Sequence, residues 1–486
     1  MELLDKLRKD YVELKAENES LKSELEALKK SQKQTLLKQV NTKSNQPSSK
    51  KGEWEAKGVG NDGQQKRKKR GKQGRKGAGN KKKDKPVTKQ ESAKLDRCAN
   101  CGALLSSRPV LASSKTRIIE DIIDLPQEVQ VIEVLQEQKY CEQCQQVTTA
   151  SSELALPGAD IGINTTVHLV YLWLSMCLPF TRIADYLIQV FGQRMSTAGL
   201  SAHVIKVSQI FKPVYEELLE DVKKSKVLHA DETGWRVQGK NWWLWVFGSK
   251  DTAIYTIDKS RGKTVVRRIL GEVFMGVLVV DGWGAYLSLL CEQQSCMAHL
   301  LRKIRNLYAA FPRLRSVLKF YLKFRRILKD GERLQAKREA LGEVVFKRRL
   351  TRLHNRLDEL LKWKNPNDLL QQIIKKVRKQ RPRILTFVEH PDVPCHNNYG
   401  EYLIRIGVLK RKVSFGSKSA HGAKAYATLL SIYTTCKLRN INFIDFLNQS
   451  LKHYIRTGKP LLIKEYQALN NYSHSQYTDS QLEKAA

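Results

Sequence analysis

The chain has 486 residues, with 86 Lys+Arg against 49 Asp+Glu and a formal net charge of +37. That length suggests about three domains, and so large a positive charge points to a polyanionic partner, most simply nucleic acid. No uncharged apolar run reaches the roughly 18 residues of a membrane span; the longest, 167–180, contains His168 and is broken by Pro179. With no apolar signal core at the N-terminus, a membrane or secreted protein is not expected and a cytoplasmic one is. Nine cysteines in such a chain suit reduced thiols or a metal better than a disulfide framework.

Residues 1–35 read as a coiled-coil helix. The heptad places Leu4, Tyr11, Asn18 and Leu25 at position a and Leu7, Leu14, Leu21 and Leu28 at position d. Asp10–Lys15, Glu17–Lys22 and Glu24–Lys29 are opposite in charge at the flanking g and e positions, as a parallel pair requires. A homodimer or higher oligomer through Leu4–Leu28, or a mixed coil with another protein, is expected. Residues 36–94 form a linker without hydrophobic periodicity. Within Lys66–Lys85, twelve of twenty residues are Lys or Arg, a run that cannot bury a core and whose natural partner is a phosphate backbone.

Residues 95–155 contain Cys98-x-x-Cys101 and Cys141-x-x-Cys144 around the strand-like stretches Thr116–Ile123 and Gln130–Leu135. Four thiolates in two such pairs suit a structural Zn²⁺ in a small β-rich domain. Residues 156–225 look helical. There Thr181–Leu187 leads through Gly192 to Ser196–Ser201, which fits a helix-turn-helix reader and an ordinary helical bundle equally well.

From Lys226 the pattern turns to strands. Val227–Ala230 is an apolar run ending in Asp231-Glu232-Thr233. Trp242–Gly248 and Thr252–Ile257 follow, then a basic helix over Gly262–Leu270 and an apolar strand, Gly276–Val280, ending at Asp281. Three hairpin-connected strands, a helix and a further strand are the opening order of a ribonuclease-H-like domain, in which the first and fourth strands are neighbours. Period-two alternation puts Asp231 and Glu232 on opposite faces, so Asp231 is chosen to share a site with Asp281. Paired carboxylates holding Mg²⁺ suit phosphodiester chemistry. Glu401, at the start of a helix after Pro394–Asn398, is the candidate third ligand, although a surface pair with Arg405 explains it as well. Cys296-x-x-His299 reads as a helix start that turns His299 toward the active site or the DNA backbone, or as a structural histidine. Lys410–Lys424 reads as a loop presenting amides and cations to phosphates. Trp235 is assigned mainly to sheet core, with stacking on an unpaired base as its other reading.

The residues Asp231-Glu232-Thr233, Asp281–Tyr286, Cys296–His299 with Arg302 and Lys303, Asn397–Glu401, Arg405, and Lys410-Arg411-Lys412 through Phe415-Gly416-Ser417 together resemble the DDE transposases of the insertion sequence 66 family. The likeness spans essentially the whole chain. It implies that Asp231, Asp281 and Glu401 are a triad binding two Mg²⁺ (or Mn²⁺) ions. His299, Arg302, Lys303, Arg405, Lys410, Arg411, Lys412 and Ser417 would then contact DNA. The 120 residues between Asp281 and Glu401 fit the helical insertion (314–383) that such enzymes carry. His396 stands where the family usually has an acid, and Met297 where it usually has an aromatic residue.

The expected fold is multidomain α+β: coil (1–35), basic linker (36–94), zinc-binding domain (95–155), helical region (156–225), ribonuclease-H-like catalytic domain (226–448) and C-terminal tail (449–486). The expected function is a bacterial, cytoplasmic DNA transposase that binds terminal inverted repeats and target DNA. It would cleave and join strands, with accessory transposition proteins as possible partners. A metal-dependent nuclease on the same scaffold and an inactive zinc and coiled-coil DNA-binding regulator are the alternatives. No phosphate-cradling Gly-rich Lys motif is present, so nucleotide hydrolysis is not expected.

Overall fold

The computed structural model of the chain describes residues 15–17, 19–28, 31, 129–134, 138–141, 146–149 and 152–470. Residues 19–28 are helical, and Leu21, Leu25 and Leu28 lie 58%, 52% and 61% exposed on that helix. Leu4, Leu7, Leu14 and Asn18 lie outside the described residues, as do Cys98, Cys101, Cys144 and the stretch 116–123. Cys141 closes strand β1 (Gln138–Cys141), which pairs antiparallel with β2 (Gln146–Thr149). The strand expected over Gln130–Leu135 is not formed by residues 130–134, which have no regular structure. Among the described residues nothing covers its apolar positions: Val131 is 92% and Ile132 50% exposed.

Four helices follow: α1 (Ile163–Leu174), α2 (Phe180–Phe191), α3 (Thr197–Ile210) and α4 (Lys212–Lys223). The turn is built as its sequence suggests. Gly192 ends α2 in the left-handed conformation, and the Ser196 hydroxyl caps α3 by accepting from Gly199 N at 3.0 Å. Helix α3, however, buries Leu200, His203, Val204 and Val207, and Lys206 donates to the Pro157 carbonyl at 2.5 Å. It is packed as a bundle helix.

Strands β3 (Val227–Val237), β4 (Lys240–Gly248) and β5 (Ala253–Asp258) form an antiparallel meander. Helix α5 (Lys263–Leu270) crosses to β6 (Val273–Val280), and β7 (Leu290–Ser295) closes the sheet in the order β5-β4-β3-β6-β7. β6 lies parallel to both β3 and β7, so the first and fourth strands of the meander-and-crossover are neighbours, as expected. The second half of β6, Val277–Val280, is buried and apolar because both of its faces are covered there. Leu278 and Val280 join one hydrophobic cluster, and Val277 and Val279 join another.

The first cluster contains residues of α1–α4, of the sheet, and of α12 (Asn398–Ser414), α13 (Ala420–Leu438) and α14 (Phe443–Thr457). The helical region before Lys226 and the sheet therefore share one core. The expected tail also contributes: Leu451, Ile455, Ile463 and Tyr466 are buried in it. The second cluster belongs to α6 (Met297–Ala310) and the inserted helices α7 (Arg315–Ala336), α8 (Arg338–Leu341), α9 (Glu343–Leu361) and α10 (Asp368–Lys379), with α11 (Thr386–Glu389) behind them. The insertion expected over 314–383 thus has a core of its own. Among the described residues no helix is long and apolar enough to cross a membrane.

Gly276 lies where β6 passes the start of β3. A Cβ there would stand 2.3 Å from the Ser225 carbonyl oxygen and 2.7 Å from that of Lys226. Gly276→Ala must push the two strands apart and should cost roughly 2–4 kcal/mol, read as a lower denaturant midpoint. An unchanged midpoint would show that the junction yields freely.

Candidate active site

The parallel register pairs Val227 with Val277, Leu228 with Leu278 and His229 with Val279. Carried two residues further, that register aligns Asp231 with Asp281. The ladder stops at His229, and the two acids follow where the strands part. Burial, then the negative charges of Glu232, Asp281 and Glu401, push the Asp231 carboxyl well above the usual range. Its Oδ1 accepts from Glu232 N at 2.9 Å, and Asp281 Oδ1 accepts from Trp283 N at 2.8 Å.

Glu232 holds the alternation position of Leu228 and Ala230, and its hydroxyl partner Tyr286 belongs with them to the first hydrophobic cluster. Burial and the charge of Asp281 raise its carboxyl, so both acids at this point of β3 feel Asp281. Glu232 is committed to other partners. Arg261 donates to its Oε1 from Nε and NH2 at 3.1 and 2.9 Å, and the Tyr286 hydroxyl donates to Oε2 at 2.5 Å. The Arg261 guanidinium lies between two indoles, 4.4 Å from the Trp243 ring and 4.1 Å from Trp283, a cation–π arrangement. Trp283 Nε1 donates to the Arg261 carbonyl at 3.1 Å. Sequence reasoning did not place Arg261 or Tyr286 here, because their partner is 29 and 54 residues away.

The third acid is held by Asn397. Its carbonyl accepts from Glu401 N at 3.1 Å in the first turn of α12. Its side chain is 1% exposed; Nδ2 donates to the Ala230 carbonyl at 2.8 Å and Oδ1 meets His229 Nδ1 at 2.9 Å. With Oδ1 as acceptor, His229 carries its proton on Nδ1, and burial keeps the ring neutral by lowering its pKa. Asn397 N donates to Cys296 Sγ at 3.2 Å, and Cys296 N donates to the Val280 carbonyl at 2.7 Å. Gly400 is required beside it, since a Cβ there would stand 2.7 Å from Asn397 Oδ1. Cys296 is thus a buried fastener.

His299 does turn inward. Its Nε2 lies 3.7 Å from Glu401 Oε1, and the charges of Asp281 and Glu401 oppose the burial and Arg302 charge that lower its pKa. Of the other residues expected at DNA, Arg405 and Lys412 are exposed on α12 and Lys303 is half-buried. Arg302 is only 3% exposed. Arg411 NH1 donates to Thr233 Oγ1 at 3.1 Å and to the Gly234 carbonyl. The Ser417 hydroxyl accepts from Trp235 Nε1 at 3.1 Å, and Trp235 stacks on Tyr426 in the core. Lys410, expected at phosphates, is 3% exposed; its Nζ donates to the Trp173 and Leu178 carbonyls, each at 2.9 Å. Helix α12 continues to Ser414 and α13 starts at Ala420, so the loop expected over 410–424 is only the five residues between them.

Among the described residues, no three His, Cys, Asp or Glu side chains stand close enough to hold one metal ion. Asp231, Asp281 and Glu401 supply hard oxygens of the kind Mg²⁺ takes, but they do not stand together as one ligand set. Their mutual repulsion is what a divalent cation would offset.

The fold is a mixed five-stranded sheet with a helical insertion placed between its second and third candidate acids. The family described as "Transposase IS66 family" matches residues 160–425, and the chain belongs to that family. Uncharacterized protein y4jO of Sinorhizobium fredii is 27% identical over 160 residues, covering 32% of this chain and 47% of that protein. Uncharacterized protein y4qI of the same organism is 25% identical over 268 residues, covering 48% of this chain and 49% of that protein. The chain spans about half the length of each relative.

Asn397→Ala leaves the Ala230 carbonyl and His229 Nδ1 without partners in a buried site. It should lower the unfolding free energy by about 2–5 kcal/mol, measured by denaturant titration; a loss below about 0.5 kcal/mol would remove its bracing role. Lys410 supplies a second test. Burial pushes its ammonium down to about 8. Below that pH the folded and unfolded chains both hold the proton, and the cost of burying the charge is fully present. Between about pH 8 and the ordinary lysine value only the unfolded chain holds it, so stability rises with pH. The unfolding free energy of the wild type minus that of Lys410→Met should therefore grow by on the order of 3 kcal/mol from pH 7 to 10.5. A flat difference would contradict the burial.

Proposed function

We propose that the chain is a DNA transposase whose acids Asp231, Asp281 and Glu401 form the DDE triad. It cuts one strand at each end of a mobile element and joins the freed 3′-hydroxyls to target DNA. The observation that carries this reading is the parallel pairing of His229 with Val279, two residues before Asp231 and Asp281, together with the charge of Glu401 acting on the Asp231 carboxyl. Membership of the transposase family supports it. Three carboxylates suit Mg²⁺ or Mn²⁺, which when bound would activate the attacking oxygen and offset charge on the leaving one.

The chain's own residues prepare that site. Asn397 fixes the start of α12 against β3, and so holds Glu401 toward the strand end that bears Asp231. Arg261 and Tyr286 hold Glu232 in place beside the triad. Arg405 and Lys412 are exposed on the helix carrying Glu401 and meet phosphates, a contact that positions DNA without reading its sequence. Zn²⁺ on Cys98, Cys101, Cys141 and Cys144, and pairing with a second copy through Leu4–Leu28, complete the proposed assembly.

The test is cleavage and joining of DNA bearing the ends of the gene's own locus, with Mn²⁺, by wild type and Asp281→Asn. Metal-dependent nicks and joined products from the wild type, each reduced at least 1,000-fold in the variant (about 4 kcal/mol of transition-state stabilisation), are expected. Nicks without joining would make the chain a nuclease. DNA binding by both proteins with no cutting by either would leave it a DNA-binding regulator.

A further inference from the structure

A cavity of about 460 Å³ opens beside the second acid, between α6 and α10 of the insertion, within the roughly 300–1,000 Å³ of small-molecule sites. Its walls are aliphatic, with Leu300 and Leu307 from α6 facing Ile373 and Val377 from α10. Lys303, Lys376, Lys379 and Arg383 also line it, and among the described residues no carboxylate does. Its inner edge is Gly282, directly after Asp281, and the Gln380 amide lies against that glycine: a Cβ there would stand 3.0 Å from Gln380 Oε1. That oxygen is buried without a hydrogen-bond partner among the described residues, a deficit that a donor from a ligand would remove.

Cations without acids, aliphatic walls and a buried amide acceptor are the complement of a nucleotide, which offers a phosphate, a flat ring and ring-edge donors. Base pairs inside a duplex cannot leave the stack to enter such a cavity, whereas a single extruded base can. We propose that this cavity holds one unpaired nucleotide of the DNA substrate, turned out of the stack next to the strand position at which Asp281 acts. The assignment rests on the reading of Asp281 as a catalytic acid. The nucleotide's phosphate lies on Lys376 and Lys379, its ring lies between the α6 and α10 aliphatic walls, and its edge donates to Gln380.

The experiment compares binding of the full chain to a short blunt duplex and to the same duplex with a three-nucleotide 3′ tail. The wild type should bind the tailed duplex about tenfold more tightly, the low end for seating one base. Ile373→Trp, which fills the cavity, should abolish that preference and leave blunt-duplex binding unchanged. Lys376→Glu with Lys379→Glu, both at exposed positions, tests the same site without touching the core and should weaken tailed binding more than blunt binding. Equal wild-type affinity for the two duplexes, or a preference that survives both changes, overturns the proposal. Free dAMP binding as tightly as the tailed duplex would assign the cavity to a free nucleotide and also overturn it. A chain that cuts DNA but shows no tail preference sinks only this inference; one that prefers the tail but never cuts sinks only the catalytic reading.

Discussion

Asn397 commits each of its polar groups to a different task. Its N–H goes to the Cys296 sulfur, its carbonyl to Glu401 N, its side-chain nitrogen to the Ala230 carbonyl and its side-chain oxygen to His229. Cys296 in turn bonds the Val280 carbonyl. The segments that end in Asp231 and Asp281 and the one that begins with Glu401 are therefore fastened through one buried residue. The acids themselves cannot do this, because they repel one another; their arrangement depends on neutral hydrogen bonds placed just behind them. Strands β3 and β6 supply the remaining constraint, since their parallel register pairs His229 with Val279, two residues before each acid.

The two hydrophobic clusters explain how such a site is carried. One lies on the face of the sheet shared with α1–α4, α12 and α13, and the other lies beneath the insertion. β6 is the wall between them, which is why Val277–Val280 are all buried and apolar while the next residue is an acid. Helix α12 packs on β3 and β4 and adds Lys410 as a tie to α1, so the third acid is joined to the sheet and to the helical region together.

Much of this was readable from residue order. The apolar run of β6 ended in an acid where that strand ends, whereas β3 runs on past Asp231 to Val237; the turn residues separated β3, β4 and β5, and the length between Asp281 and Glu401 required an insertion. The exceptions have physical reasons. Alternation set Glu232 apart from Asp231, but it could not supply the partners of Glu232, Arg261 and Tyr286, which other elements contribute. Lys410 and Arg302 read as surface cations because charge alone predicts exposure; each is buried by a helix–core contact that no local pattern announces. Trp235 and Ser417 join one another across 182 residues, a separation at which sequence spacing carries no information. The division between residues 225 and 226 marked a change of secondary structure, and the hydrophobic cluster runs through it.

The Arg261 sandwich has an optical consequence. Trp283 stands two residues after Asp281 and is 40% exposed, whereas Trp173, Trp235 and Trp245 are buried. Its excited indole sits against a guanidinium, in a polarised setting that any polyanion arriving at the acids must alter. The intrinsic ultraviolet emission of the protein therefore contains an unlabelled reporter of events at its own acidic centre.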